Sequence, residues 1–159
     1  MDMKALLNSI PQIGTVEWIS IRPERRGEIV VLDEVQVSVE NGLEGDHYSG
    51  HTKKRQVTLI QKEHLSVIGS ILEKEEIDPK LTRRNIIVKG INLISFKKQQ
   101  FQIGEVVLEG TGECHPCSRM EENFGAGGYN AMRGHGGLTA RVIKGGTIKN
   151  GDKVKLNTQ

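Results

Sequence analysis

Only one stretch of this 159-residue chain places apolar residues at helical spacing for long enough to cross a sheet. Leu65, Ile68, Ile71 and Leu72 predict a helix over residues 62–75. Met3, Leu6, Leu7 and Ile10 predict a second, short amphipathic helix that Pro11 stops. Nearly everything else reads as short β segments cut by turns. Residues 14–21 are β-rich and end at Arg22-Pro23. Residues 34–40 alternate, with Val35, Val37 and Val39 on one face and Gln36, Ser38 and Glu40 on the other. Residues 56–61, 85–88, 138–143, 147–148 and 153–156 supply further strands, and residues 101–108 read as a strand pair broken at Gly104. Asn41-Gly42, Gly145-Gly146 and Asn150-Gly151-Asp152 are the turn signals between them. A layered α/β fold needs several crossover helices. About seven short strands with one substantial helix instead predict a mainly β, closed or nearly closed barrel. No repeat, linker or composition shift divides the chain, so a single domain is expected over 1–159, with its core at about 14–156.

Charge narrows the partners. With 22 basic and 20 acidic residues the formal net charge is +2, too small to argue for a nucleic-acid or membrane surface. Only Lys4 precedes a brief apolar run at residues 5–10, and no stretch approaches the ~18–20 apolar residues of a membrane span. Two cysteines do not make a disulfide scaffold in a chain of this size. The expectation is a cytoplasmic protein with no nucleic-acid or membrane partner, whose thiols stay reduced unless they are catalytic.

Residues 110–137 stand apart. They hold both cysteines, eight of the nineteen glycines and two of the five histidines. Glycine at that density means backbone in conformations other residues avoid, or backbone that must approach something closely. Within the stretch lies Cys114-His115-Pro116-Cys117. One reading makes both cysteines small buried apolar residues. A second makes them a thiol–disulfide couple, which normally follows a strand and opens a helix in a βαβ setting that the barrel pattern withholds. A third is a zinc site with two of His47, His51, His115 and His135. The fourth is a single thiolate presented to a soft metal or carrying transferred sulfur, favoured electrostatically by Arg119 or by a helix starting near Ser118.

Basic residues mark many predicted strand ends: Lys53, Lys54, Arg55, Arg83, Arg84, Arg133 and Arg141. Singly each is a solvated charge, but strand ends meeting at one barrel mouth would make an anion pocket, to which Asn85 adds an amide. Asp46, in Gly45-Asp46-His47, reads equally as a loop-stabilising turn residue or as part of such a site.

Taken in order, Gly45-Asp46, Arg55-Gln56-Val57, Arg83-Arg84-Asn85-Ile86, Cys114-His115-Pro116-Cys117 and the glycine-rich residues 128–137 resemble a stand-alone MOSC domain. That domain also occurs at the C-terminus of molybdenum-cofactor sulfurases and in the mitochondrial amidoxime-reducing component. The resemblance covers about residues 14–156 and implies a β-barrel related to that of pyruvate kinase. It implies molybdenum cofactor (molybdopterin) bound with one cysteine as the protein's metal ligand. Cys117 matches that cysteine, as ligand and catalytic residue, and Cys114 is the fallback. Arg83, Arg84 and Asn85 match an Arg-x-Asn element facing cofactor or substrate. Lys53, Lys54 and Arg55 are candidate partners of the pterin phosphate, and Arg133 completes the cofactor-binding set. The family's first loop often carries Arg after Gly-Asp, where this chain has His47. No pyridoxal-phosphate desulfurase domain is visible, so pyridoxal phosphate is not expected. The implied activities are reduction of N-hydroxylated small molecules with an electron-donor reductase, or carriage of sulfur as a Cys117 persulfide supplied by a cysteine desulfurase. A non-catalytic module binding a phosphorylated ligand or pterin is the remaining alternative.

Overall fold

The computed structural model describes residues 1–47 and 52–158. After the short helix α1 (Met3–Leu7), whose Asp2 cap accepts a hydrogen bond from the Ala5 amide at 2.7 Å, strand β1 (Gly14–Ile21) occupies the first predicted β segment. Short strands β2 (Val30–Leu32), β3 (Glu34–Ser38) and β4 (Gly42–Leu43) follow. Then β5 (Val57–Gln61), helix α2 (Lys62–Ile71), the single turn α3 (Pro79–Thr82) and β6 (Ile86–Lys89) form one unit. A 3-10 turn at Leu93–Phe96 leads into the hairpin β7 (Gln100–Ile103) and β8 (Val106–Glu113). Helices α4 (Ser118–Phe124) and α5 (Gly128–Met132) precede β9 (Leu138–Lys144), β10 (Gly146–Lys149) and β11 (Lys153–Leu156).

Seven strands close on themselves in the order β1-β6-β5-β9-β8-β7-β11 and back to β1. The seam is short: Gly14 pairs with Val154 and Thr15 with Lys153. The predicted mainly β barrel is therefore the fold. Strand β2 extends one end of β1, and β10, β3 and β4 make a separate three-stranded sheet. Only β5 and β6 run parallel in the barrel. Parallel neighbours cannot be joined by a hairpin, and α2 is the crossover that this pairing demands.

Alternation along β5 and β6 builds two cores. Val57 and Leu59, with Ile86 and Val88, belong to an aliphatic cluster that also holds Phe96 and Phe101. Those two rings stack with centroids 4.5 Å apart. The intervening Ile60 and Ile87 belong to a second cluster with Ile68 of α2, Met120 and Phe124 of α4, and Ala131 and Met132 of α5. Strands buried on both faces read as continuous apolar runs, which is why residues 86–88 carry no alternation.

Three expectations are adjusted. Val39 is 41% exposed because β3 stops at Ser38, whose Oγ accepts a hydrogen bond from the Asn41 amide and turns the chain towards β4. The helix expected over 62–75 ends at Ile71. Glu73 takes a left-handed φ of 57°, and the Lys74 amide donates back to the Gly69 carbonyl at 2.8 Å, a helix stop usually signalled by glycine. Helices α4 and α5 are additional, each too short to show a period.

Candidate functional site: an arginine-lined cleft around Cys117

The ends of four barrel strands converge on one cleft of about 290 Å³. Its floor is a hydrogen-bonded polar net. Asn85, just before β6, accepts from the Thr58 amide at 3.0 Å and the Thr58 hydroxyl at 3.1 Å through Oδ1, and donates through Nδ2 to the Ser20 carbonyl at 3.2 Å. Ser20 Oγ donates to the Arg84 carbonyl at 3.0 Å. Asn85 thus clamps β1 and β5 about the start of β6, and its amide is largely spent on the scaffold.

Arg84 is spent likewise. It is 7% exposed, and its guanidinium donates to the carbonyls of Gly136 (2.7 Å), Thr82 (3.1 Å) and Cys114 (3.2 Å). These bonds hold the loop after β8 against the loop before β9. Glycine is required at that junction: a Cβ on Gly136 would sit 2.1 Å from the Cys114 carbonyl oxygen, and one on Gly137 (φ 102°) 1.9 Å from that of Leu59. Backbone packed on backbone thus accounts for Gly136 and Gly137, whereas Gly125, Gly127 and Gly134 meet open space and take left-handed φ of 81–89°.

The two cysteines part company here. Both are free thiols. Cys114 is 1% exposed, its amide donating to the Gly137 carbonyl at 2.8 Å, with Arg55 Nη2 facing its sulfur from 4.0 Å. Cys117 is exposed and stands as the residue before α4. The pair does follow a strand and open a helix, at the Ser118 where the sequence admits one. Strands β8 and β9 are antiparallel, however, and the reachable thiol is the second of the pair. Among the described residues no group of three or more His, Cys, Asp or Glu side chains is placed to hold a metal. His51 lies outside the described residues.

Around Cys117 the cleft is strongly basic. Arg22 leaves the end of β1, Arg25 and Arg26 come from the following loop, and Arg55 precedes β5. Arg83 and Arg84 precede β6, and Arg119 is in α4. These are seven of the nine arginines in the chain; no lysine lines the cleft, and Asp46 is the only carboxylate on its described wall. Asp46 resolves its two readings by serving both. Its Oδ1 accepts from the Arg22 amide at 2.8 Å, tying the first loop to β1, and its charge favours the Arg22 guanidinium. His47 Nδ1 lies 3.1 Å from the Arg22 carbonyl and 3.4 Å from Arg22 Nε.

Burial lowers the pKa of Arg22, with Arg119 and Arg84 pushing the same way. Arg83 is lowered by burial, then by Arg22 and Arg119, while negative charge on Cys117 acts in the opposite sense on both residues. A guanidinium stays protonated through such shifts, so the cleft holds repelling, partly desolvated cations whose positive charge is only partly offset. An anion entering there relieves both costs.

Of the residues expected at the site, Arg55, Arg83, Arg84, Asn85, Cys114 and Cys117 share this cleft. Lys53, Lys54 and Arg133 do not. Lys53 pairs with Glu40 at 3.5 Å, Lys54 faces a separate groove with Lys98 and Arg141, and Arg133 bonds Asn130 Oδ1 at 3.3 Å on the surface. Arg141 pairs with Glu109 at 2.8 Å in that same groove. Closeness to a strand end in sequence does not say on which side of the sheet a long side chain emerges. Conversely, Arg22, Arg25 and Arg26 line the cleft and are not among the expected residues. Three arginines within five residues after a predicted strand were the available signal.

The fold and site together are a closed β-barrel with an exposed thiol at an arginine-lined cleft. The chain belongs to the MOSC domain family, whose model matches residues 44–155. Strand β1 lies outside that match although it closes the barrel. Among solved structures, YuaD from Bacillus subtilis aligns with TM-score 0.77 at 18% identity, covering 91% of this chain and 96% of that one. YiiM from Escherichia coli aligns with TM-score 0.69 at 18% identity, covering 91% and 70%. YiiM from Geobacillus stearothermophilus gives 0.71 at 14% identity, covering 91% and 75%. At these identities the likeness is one of fold. No functionally curated protein matches the sequence. Among the described residues no helix is long and apolar enough to cross a membrane.

Proposed function

We propose that this chain binds molybdenum cofactor in the arginine cleft, with Cys117 as the protein's sulfur ligand, and serves as a reductase of N-hydroxylated small molecules. The observation that carries the reading is Cys117 itself, a solvent-reachable thiol facing a cleft lined by seven arginines. Family membership links the chain to that cofactor, and the donor set suits it. A thiolate is a soft ligand, and guanidinium is the side chain best shaped for phosphate oxygens. Arg22, Arg55, Arg83 and Arg119 would hold the anionic group, while Arg84 and Asn85, already bonded to the scaffold, form the wall behind it. When bound, the cofactor supplies two-electron redox chemistry. The chain supplies the deprotonated sulfur, the anion grip and a fixed orientation, and a separate reductase would supply electrons.

Metal and pterin analysis of protein purified from a cofactor-producing host tests this reading. Wild type should carry molybdenum, and Cys117→Ser should lose it while keeping its circular dichroism and melting temperature. Metal-free wild type, or a variant with undiminished molybdenum, would overturn it.

A second reading rests on the contrast between the two thiols. With Cys114 buried and Cys117 exposed, a persulfide on Cys117 has no solvent-reachable neighbouring cysteine to displace its sulfur. Cys117 would then carry sulfur to another protein's metallocentre. Incubation with a sulfur donor, such as a cysteine desulfurase with cysteine, should add one sulfur atom to Cys117, and a mass unchanged with every donor would remove this reading.

A further inference from the structure

Cys117 shares one cleft with seven arginines that come from the end of β1, the loop after it, the entries to β5 and β6, and α4. Arg22, Arg83 and Arg119 each lie within electrostatic reach of one another, and Arg22 and Arg83 both sense Cys117. Asp46, the one described carboxylate on the wall, has an oxygen committed to the Arg22 amide. Among the described residues Arg119 has Glu122 as its acidic partner, at 3.7 Å and 71% exposed, a pair too solvated to neutralise it. A planar guanidinium fork matches an oxyanion through two parallel hydrogen bonds, whereas an ammonium acts as a point charge. The absence of lysine from the described wall therefore points to an oxyanion, and the clustering points to one attached next to the atom that meets Cys117.

We propose that Cys117 takes sulfur directly from a donor whose transferable sulfur is bonded to a sulfonate group, with thiosulfate the simplest, and that the arginine cluster binds the sulfonate. This inference rests on the sulfur-carrier reading and names its donor. The Cys117 proton is lost to solvent. The thiolate attacks the outer sulfur of thiosulfate, a bond forms between Sγ and that sulfur, and the sulfur–sulfur bond of the donor breaks. Its electron pair leaves with sulfite, and Cys117 is left as a persulfide. Two negative charges enter on the donor and two depart on sulfite, so no external oxidant or reductant is needed. The guanidiniums act where charge grows, on the departing sulfite. An acceptor thiolate or cyanide then removes the outer sulfur and restores the thiol.

The test gives the full-length protein three donors in parallel: thiosulfate, inorganic polysulfide, which has no oxyanion group, and cysteine with a desulfurase. Intact mass, sulfite release and thiocyanate formation with cyanide are read for each. Thiosulfate should add one sulfur to Cys117 with one sulfite released, and Cys117→Ser should do neither. Arg119→Ala, on a partly exposed helix position, should slow loading from thiosulfate on the order of a hundredfold. Its loading from polysulfide, an anion without oxygens for a guanidinium fork to grip, should slow by less than about tenfold. Arg141→Ala, outside the cleft, serves as the charge-matched control. If polysulfide or the desulfurase loads Cys117 and thiosulfate does not, the donor assignment is wrong and the carrier reading survives. If no donor loads it, both fall. Equal slowing of thiosulfate and polysulfide by Arg119→Ala would also refute the assignment.

Discussion

The barrel interior and the Cys117 cleft share strands β5 and β6, yet they are built on opposite terms. The interior is apolar throughout, with Leu59, Ile86, Val88, Phe101 and Leu108 excluded from solvent. The cleft is polar and repelling, held open by a guanidinium and an amide that bond only to backbone and neighbouring side chains. Close packing leaves little freedom, so the interior can tolerate the destabilising charge gathered next to it. The lesson is that site residues fall into two kinds. Arg84 and Asn85 behave as core, whereas Arg119 and Cys117 are free to meet a ligand.

The largest effect expected from probing that contrast lies in the interior. Phe101→Ala removes a stacked ring from a fully buried position and should cost about 4 kcal/mol in denaturant unfolding. The next test asks whether a cleft residue can count as core. Arg84→Met leaves the carbonyls of Gly136, Thr82 and Cys114 without their donor and should cost about 3 kcal/mol, with faster amide exchange at residues 114–117 and 136–138. A loss under about 0.5 kcal/mol would place Arg84 with the free arginines instead. The two thiols sharpen the division. Cys114→Ser buries a hydroxyl and should cost about 2 kcal/mol, while Cys117→Ser should change stability by less than about 0.5 kcal/mol.

The smallest effect concerns the α4–α5 turn. The exposed Glu121 carboxylate accepts from the Gly127 and Tyr129 amides at 3.0 and 2.9 Å, and the Tyr129 bond, then the Gly127 bond, lowers its pKa from 4.5. A carboxyl depressed in the folded state adds stability that is complete above its unfolded pKa and is lost as pH falls through the folded one. Melting curves of wild type should therefore drop more steeply than those of Glu121→Gln on acidification below about pH 4.5. Parallel curves would show that the carboxylate does not hold the turn.

Much of this was legible from residue order. Strand β1 matches the predicted β segment end to end, because its flanking Gly14 and Arg22-Pro23 punctuate it. The barrel followed from the shortage of helices rather than from any one strand. What escaped had physical causes. Strand β2 is three residues long with two exposed valines, and α4 and α5 bury Met120, Phe124, Ala131 and Met132 without enough turns to show a period. Helix α2 ran long in prediction because Glu73, not glycine, adopts the left-handed stop. The Cys114–Cys117 and Arg83–Asn85 motifs lie on loops that line one cleft. Motif alone did not say that Arg84 is committed to backbone carbonyls, or that Lys53 and Lys54 face elsewhere.

The seam between β1 and β11 joins the first strand of the barrel to the last one made. During synthesis, then, the tube cannot shut until residues 153–156 have cleared the ribosome. Up to that moment the aliphatic lining has an open side. A chain of this design keeps its apolar interior open on one side until β11 has docked against β1.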